Sequence, residues 1–196
     1  FGAHEATDAF FAAWRLPDVL FNSLLGVLVA NTFIPVLFEL TASHGPGAAR
    51  RFARSACGAA LLALSLAALC YALFADSVMA VLAPGLSPQA RGFGADMARL
   101  LAPVAVAGGL TGILRAMLHA EGRFLVPAWL PVVQNLCVIG MILALGPLVG
   151  VASMAWALLL SCVLQAAMLY APLAREGRAP RPSLDFADPG LKRMGA

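Results

Sequence analysis

The chain has 196 residues, of which 61% are hydrophobic and 12% charged, with a formal net charge of +3 and a mean hydropathy of +0.86. A soluble domain carries about 25% charged residues, so the composition excludes one and defines an integral membrane protein. The basic excess does not point to nucleic acid, because Lys and Arg fall at the ends of apolar runs and not on one aromatic-bearing face.

In chain order, the polar opening Phe1-Gly2-Ala3-His4-Glu5-Ala6-Thr7-Asp8 has neither the basic start nor the short apolar core of a secretory signal. No initiator Met is present, and the chain is expected to be a fragment whose preceding sequence is missing. The first membrane-length run is Val19 to Phe38, twenty residues without a charge, which emerges directly from Asp8, Arg15, Pro17 and Asp18. Further charge-free runs cover Ser55 to Ala75, Leu100 to Leu114 and Phe124 to Ala174. A bilayer core takes about 20 apolar residues per helix, so the run from Phe124 holds two spans, with a turn at Gly146-Pro147-Leu148-Val149-Gly150.

The pattern predicts an all-α integral membrane fold of five transmembrane helices, at about 8–41, 53–75, 96–119, 124–145 and 151–173. These make one bundle over 1–174, and 175–196 is read as a basic cytoplasmic connection. A transmembrane barrel would need segments of about ten residues alternating apolar with polar, and these runs are apolar on every side. Arg50, Arg51 and Arg54 follow the first span, Arg115 and Arg123 the third, and Arg175, Arg178, Arg181, Lys192 and Arg193 the fifth. Those ten of the thirteen basic residues place these loops in the cytoplasm and residue 1 outside.

Catalytic signatures are missing from the sequence: it has no Walker loop, no H-E-x-x-H and no G-x-S-x-G. His4, His44 and His119 sit at span ends or in loops, and Cys57, Cys70, Cys137 and Cys162 sit inside spans without C-x-x-C spacing. The expectation is therefore no enzyme, no metal and no cofactor, with the cysteines as small apolar packing residues.

Polar residues within the helices carry what remains. Asp8, Arg15 and Asn22 recur every seven residues, two helical turns less about 20°, and so share one stripe. Asp18 is three residues from Arg15 and four from Asn22, within reach of the guanidinium, and Pro17 bends the helix beside them. Such a kinked, charged helix fits the lining of a water-filled cavity. A plainer reading of the same residues has Asp8 capping the helix and Arg15 snorkelling to the interface. Asn31, Gln134, Asn135 and Gln165 are expected to join helices by hydrogen bonds, Gly108, Gly109 and Gly112 to allow close helix approach, and Pro127 and Pro131 to bend the fourth span.

Several motifs in order resemble one family. They are Phe1-Gly2-Ala3 through Thr7-Asp8-Ala9-Phe10-Phe11, Arg15-Leu16-Pro17, Phe33-Ile34-Pro35-Val36-Leu37, Ala83-Pro84-Gly85, Ala120-Glu121-Gly122-Arg123-Phe124, Pro127-Ala128 with Pro131-Val132 and Asn135, and Val163-Leu164-Gln165. Together they resemble the MurJ (MviN) lipid II flippases of the MATE-like multidrug and lipid-linked oligosaccharide exporter superfamily. The resemblance implies a two-lobe flippase in the bacterial cytoplasmic membrane, of which this chain is similar to helices two to six of the N-terminal lobe. It implies alternating-access movement of a polyprenyl-pyrophosphate-linked glycan, lipid II, among membrane lipids, with room for a coupling ion. Arg15, Asp8, Asp18 and Asn22 are then the substrate-facing residues. Phe21 stands where members often carry Arg, and Gly26 stands where they carry Glu. Another polyprenyl-linked saccharide, or a non-transporting scaffold for cell-wall synthesis, are the alternatives.

Overall fold

The computed structural model describes residues 4–19, 29–177 and Ser183, and every regular element among them is helical. Asn22, Phe21, Gly26 and most of the 175–196 connection lie outside the described residues. Helix α1 (Glu5–Asp18) starts after an extended His4, with Glu5 and Asp8 in the first turn where carboxylates complement the helix dipole. Its buried residues, Ala9, Phe10, Ala13 and Pro17, recur at helical spacing and form one inward stripe.

A π-helical turn, Val29–Phe33, runs straight into α2 (Ile34–Leu73). The widening has a local cause: Pro35 cannot donate to the Asn31 carbonyl four residues back, and its ring would clash with that carbonyl in a regular helix. Within α2 the helix breaks at Gly45, with φ +79° and ψ 175°. Pro46 disfavours the α region for the residue before it, and a positive φ there suits only glycine. The connection expected between the first two spans is thus helical on both sides of this single residue.

Between the second and third expected spans the structure adds a short helix, α3 (Ala75–Leu82), whose first turn carries Asp76, a carboxylate that complements the helix dipole. Helix α4 (Pro88–Ala120) begins well before the expected 96. Its start is a local signal: Ser87 caps the helix by accepting from the Ala90 amide at 3.3 Å, and Pro88 occupies the first turn, where its missing N–H costs nothing. The fourth span is bent as its prolines predict, into α5 (Leu125–Ala128) and α6 (Leu130–Val149), with Trp129 between them. Gly150, at φ +57°, turns the chain into α7 (Ala152–Arg175).

Among the described residues, four stretches are long and apolar enough to cross a membrane: Gly47–Leu73, Pro88–Ala120, Leu125–Val149 and Ala152–Arg175. They correspond to the second to fifth predicted spans. The first, 8–41, is described at its two ends, and its middle lies outside the described residues.

Helix α4 is the centre of the bundle and packs against α1, α2, α3 and α7, while α6 packs mainly on α7. Its N-terminal half, Ala95 to Val104, joins a cluster with Phe10, Tyr71, Met79 and Ala155. Its C-terminal half, Ile113 to Leu118, joins another with Phe33, Phe52, Leu130 and Leu169. Between the two clusters lies a waist of small residues, Ala105, Gly108 and Thr111, and there the bundle leaves a space. Gly108 and Gly109 are buried and Gly112 half-buried, in keeping with the close approach expected of them.

Candidate functional site

The predicted charged stripe divides between two settings. Asp8 and Arg15 lie on the exposed face of α1, one below the other as their seven-residue spacing requires. Asp18, about 60° further round the helix, is half-buried and lines an interior cavity of about 270 Å³. Asp8 and Arg15 thus share the expected stripe, whereas Asp18 faces the interior and not their surface. Asn22 cannot be placed on either side, being outside the described residues.

Among the described residues, four helices line the cavity. α1 contributes Trp14, Pro17 and Asp18, and α4 contributes Val104, Ala105, Gly108, Thr111 and Arg115. Gln134 enters from α6, and Leu158, Cys162 and Gln165 enter from α7. The spacings explain the convergence: 104, 108, 111 and 115 follow one face of α4, and 158, 162 and 165 one face of α7. Glycine at 108 removes side-chain volume at the waist, and the Thr111 hydroxyl donates to the Gly108 carbonyl at 2.7 Å, which leaves its oxygen lone pairs as acceptors.

Arg115 is the residue that reading by loops missed. Its position in the sequence reads as a basic residue following the third span, yet its Nε is buried at the cavity and has no hydrogen-bond partner among the described residues. The signal was available in the sequence: Arg115 follows Thr111 by four and Gly108 by seven, on the small-residue face of its helix. Of the four amides expected to join helices, Gln165 is buried, whereas Gln134, Asn31 and Asn135 are exposed, with Gln134 at the edge of the cavity. The contacts that do tie helices together are others. Tyr71 donates to the Ala13 carbonyl at 2.5 Å, Ser87 donates to Glu5, and Arg123 pairs with Glu176 at 2.8 Å. Arg99 pairs with Asp76 and, at 2.9 Å, with Asp96.

A second hollow, of about 320 Å³, lies near the Gly45 break between Leu37, Phe38 and Thr41 and the end of α4 at Glu121, with Arg50 on its rim. Among the described residues no group of His, Cys, Asp and Glu is placed to hold a metal ion.

Membrane-length helices around a charged interior cavity define a multi-pass α-helical membrane protein with a polar interior. The family model described as Lipid II flippase MurJ matches residues 1–196, and the chain belongs to that family. Similar relatives include the lipid II flippase MurJ of Burkholderia cenocepacia, 27% identical over 202 residues, which cover 99% of this chain and 39% of the relative. The probable lipid II flippase MurJ of Buchnera aphidicola subsp. Schizaphis graminum is 23% identical over 100% of this chain and 40% of its own length. That of Rhizobium tropici is 26% identical over 98% and 38%. The chain thus spans about two fifths of the length of these curated relatives. The resemblance read from the motifs is borne out.

Proposed function

We propose that this chain is part of a flippase that carries a polyprenyl-pyrophosphate-linked peptidoglycan precursor, lipid II, across the bacterial cytoplasmic membrane by alternating access and without covalent chemistry. The observation that carries the reading is the family match over residues 1–196. Arg15 is the cation proposed to meet the diphosphate: it is exposed on α1 beside a membrane-length apolar run. Its guanidinium is always charged, and its fork of donors suits phosphate oxygens. Asp8 on the same face and Asn22 further along are proposed to adjust the charge that the substrate meets, and Asp18 to support the helix from its inner side. A coupling ion remains part of the proposal.

The proposed orientation has the basic ends of α2, α4 and α7 in the cytoplasm, in line with the positive-inside rule. Gly47→Cys and Gly85→Cys, both at positions where a side chain meets nothing within 4 Å, should label from opposite sides, Gly85 from outside and Gly47 only after permeabilisation. The functional test is genetic. A bacterium depleted of its own lipid II flippase should grow when it carries the gene of this protein. If it lyses at normal membrane abundance of the protein while a strain lacking a flippase for another polyprenyl-linked saccharide is rescued, the substrate assignment moves to that saccharide.

A further inference from the structure

Away from the interior cavity, α2 and α4 leave between them an open groove of about 500 Å³. Its floor includes Ala68 and Ala102, both buried, and its sides include Leu61, Leu69, Pro103 and Leu110. The groove follows α2 from Ala72 back to Leu61 and α4 from Arg99 to Leu110, a rise of about 16 Å on each helix at 1.5 Å per residue. One leaflet of a bilayer's hydrocarbon core is about 15 Å thick, so the groove has the depth of a leaflet.

Charge is confined to one end. Among the described residues that line the groove, Arg99 is the one charged residue, and it pairs with Asp76 of α3 and with Asp96 one turn earlier on α4. The two carboxylates are 71% and 72% exposed, so both keep open acceptor positions, and the cluster has one more negative charge than positive. Pro103 has no N–H for the Arg99 carbonyl four residues back, which leaves that carbonyl without its usual helical donor. A cation flanked by surplus carboxylate at the mouth of an apolar groove complements a zwitterion that carries a hydrocarbon chain.

We propose that this groove binds one phosphatidylethanolamine of the surrounding bilayer. An acyl chain lies along Ala68 and Ala102, the phosphate meets the Arg99 guanidinium, and the ammonium meets Asp76 and Asp96. Lipid tails are as apolar as leucine, so the chain gains little by leaving its neighbours and the headgroup contacts set the selectivity. An acidic phospholipid would bring the phosphate but leave the surplus carboxylate unbalanced, and a choline headgroup has no N–H to donate. The site is separate from the α1 face proposed for the lipid-linked substrate, and it stands whichever leaflet Arg99 faces.

The test uses the intact protein in detergent micelles, titrated with dioleoyl phosphatidylethanolamine, phosphatidylglycerol or phosphatidylcholine, with retained lipid counted by native mass spectrometry. Wild type should retain one phosphatidylethanolamine at about tenfold lower lipid concentration than phosphatidylglycerol, the scale of one charge contact at intermediate dielectric, and phosphatidylcholine should also bind more weakly. Arg99→Gln should weaken retention of phosphatidylethanolamine, whereas Arg175→Gln, at another exposed position, should behave as wild type. The double variant Asp76→Asn with Asp96→Asn leaves the cation uncompensated and should reverse the order in favour of phosphatidylglycerol. Ser65→Phe, from the exposed edge of the groove, should fill it and weaken retention of both lipids. Should that variant fail to fold, Ala107→Phe on the facing helix takes its place. A wild type that retains the ethanolamine and glycerol lipids equally or prefers the latter, a double variant that keeps the wild-type order, or an Arg99→Gln or groove-filling variant that retains lipid like wild type, overturns the proposal.

Discussion

Helix α4 and the bent α5–α6 stretch are both able to cross a bilayer, but they occupy opposite positions in the bundle. In the most apolar window of Pro88–Ala120, 61% of the residues are buried, and in that of Leu125–Val149 none is, although the second stretch is the more hydrophobic. Hydrophobicity alone does not send a helix to the centre of a membrane protein, because lipid tails are as apolar as leucine. Close packing does. α4 offers Ala95, Ala98, Ala102, Gly108 and Gly109 to its neighbours, whereas α6 turns Leu136, Ile139 and Leu143 outward. The same small residues that let α4 sit at the centre also leave the waist where Arg115 and Asp18 share a cavity.

The comparison can be broken most easily by cavity mutants. Leu114 on α4 is fully buried and Leu143 on α6 is 74% exposed. Leu114→Ala should cost about 2 to 4 kcal/mol through the void it leaves, and Leu143→Ala less than about 1 kcal/mol, as measured by reversible unfolding in mixed micelles. Equal costs would mean that α4 is not the packing centre.

Glycine replacements come next in size. A side chain at Gly94 of α4 would collide with the Met79 methyl and lie 3.4 Å from Ala9, whereas one at Gly140 of α6 meets nothing within 4 Å. Gly94→Leu should therefore cost about 1 to 3 kcal/mol by overpacking. Gly140→Leu should be neutral or stabilise by up to about 1 kcal/mol through helix propensity. A destabilised Gly140→Leu would show that the outer face of α6 is packed in the assembled protein.

The smallest effects belong to polar ties. Tyr71→Phe removes the bond to the Ala13 carbonyl and should cost about 1 kcal/mol. Arg99→Gln, which breaks the exposed pairs with Asp76 and Asp96, should cost no more than about 1 kcal/mol in the same unfolding measurement.

Much of the fold was legible because charge-free runs of membrane length mark spans directly, and four of the five predicted ones match helices of the structure. The boundaries erred where charge was taken to mean loop. Arg91 lies inside α4, and Asp76 lies inside α3. Glycine and proline signals were more reliable: Pro127 with Pro131 marks a bend, and Gly150 marks a break. The candidate site was half visible. A seven-residue period identifies the Asp8 and Arg15 face within one helix, but the interior cavity joins residues as far apart as Trp14 and Gln165, which no local period connects. Arg115 was hidden for the same reason, since its meaning depends on α1 and α7 closing over it.

The most direct measurement of the functional account is export of lipid-linked precursor in spheroplasts that depend on this protein, compared across variants at Arg15 with equal membrane abundance. Arg15→Lys should keep part of the export, because it preserves charge but loses the bidentate fork, and Arg15→Ala should remove most of it. The double variant Arg15→Ala with Asp18→Ala should remain inactive if Arg15 meets the diphosphate. Export at the wild-type rate by Arg15→Ala would contradict the account, and so would recovery in the double variant, which would assign Arg15 to pairing with Asp18 instead.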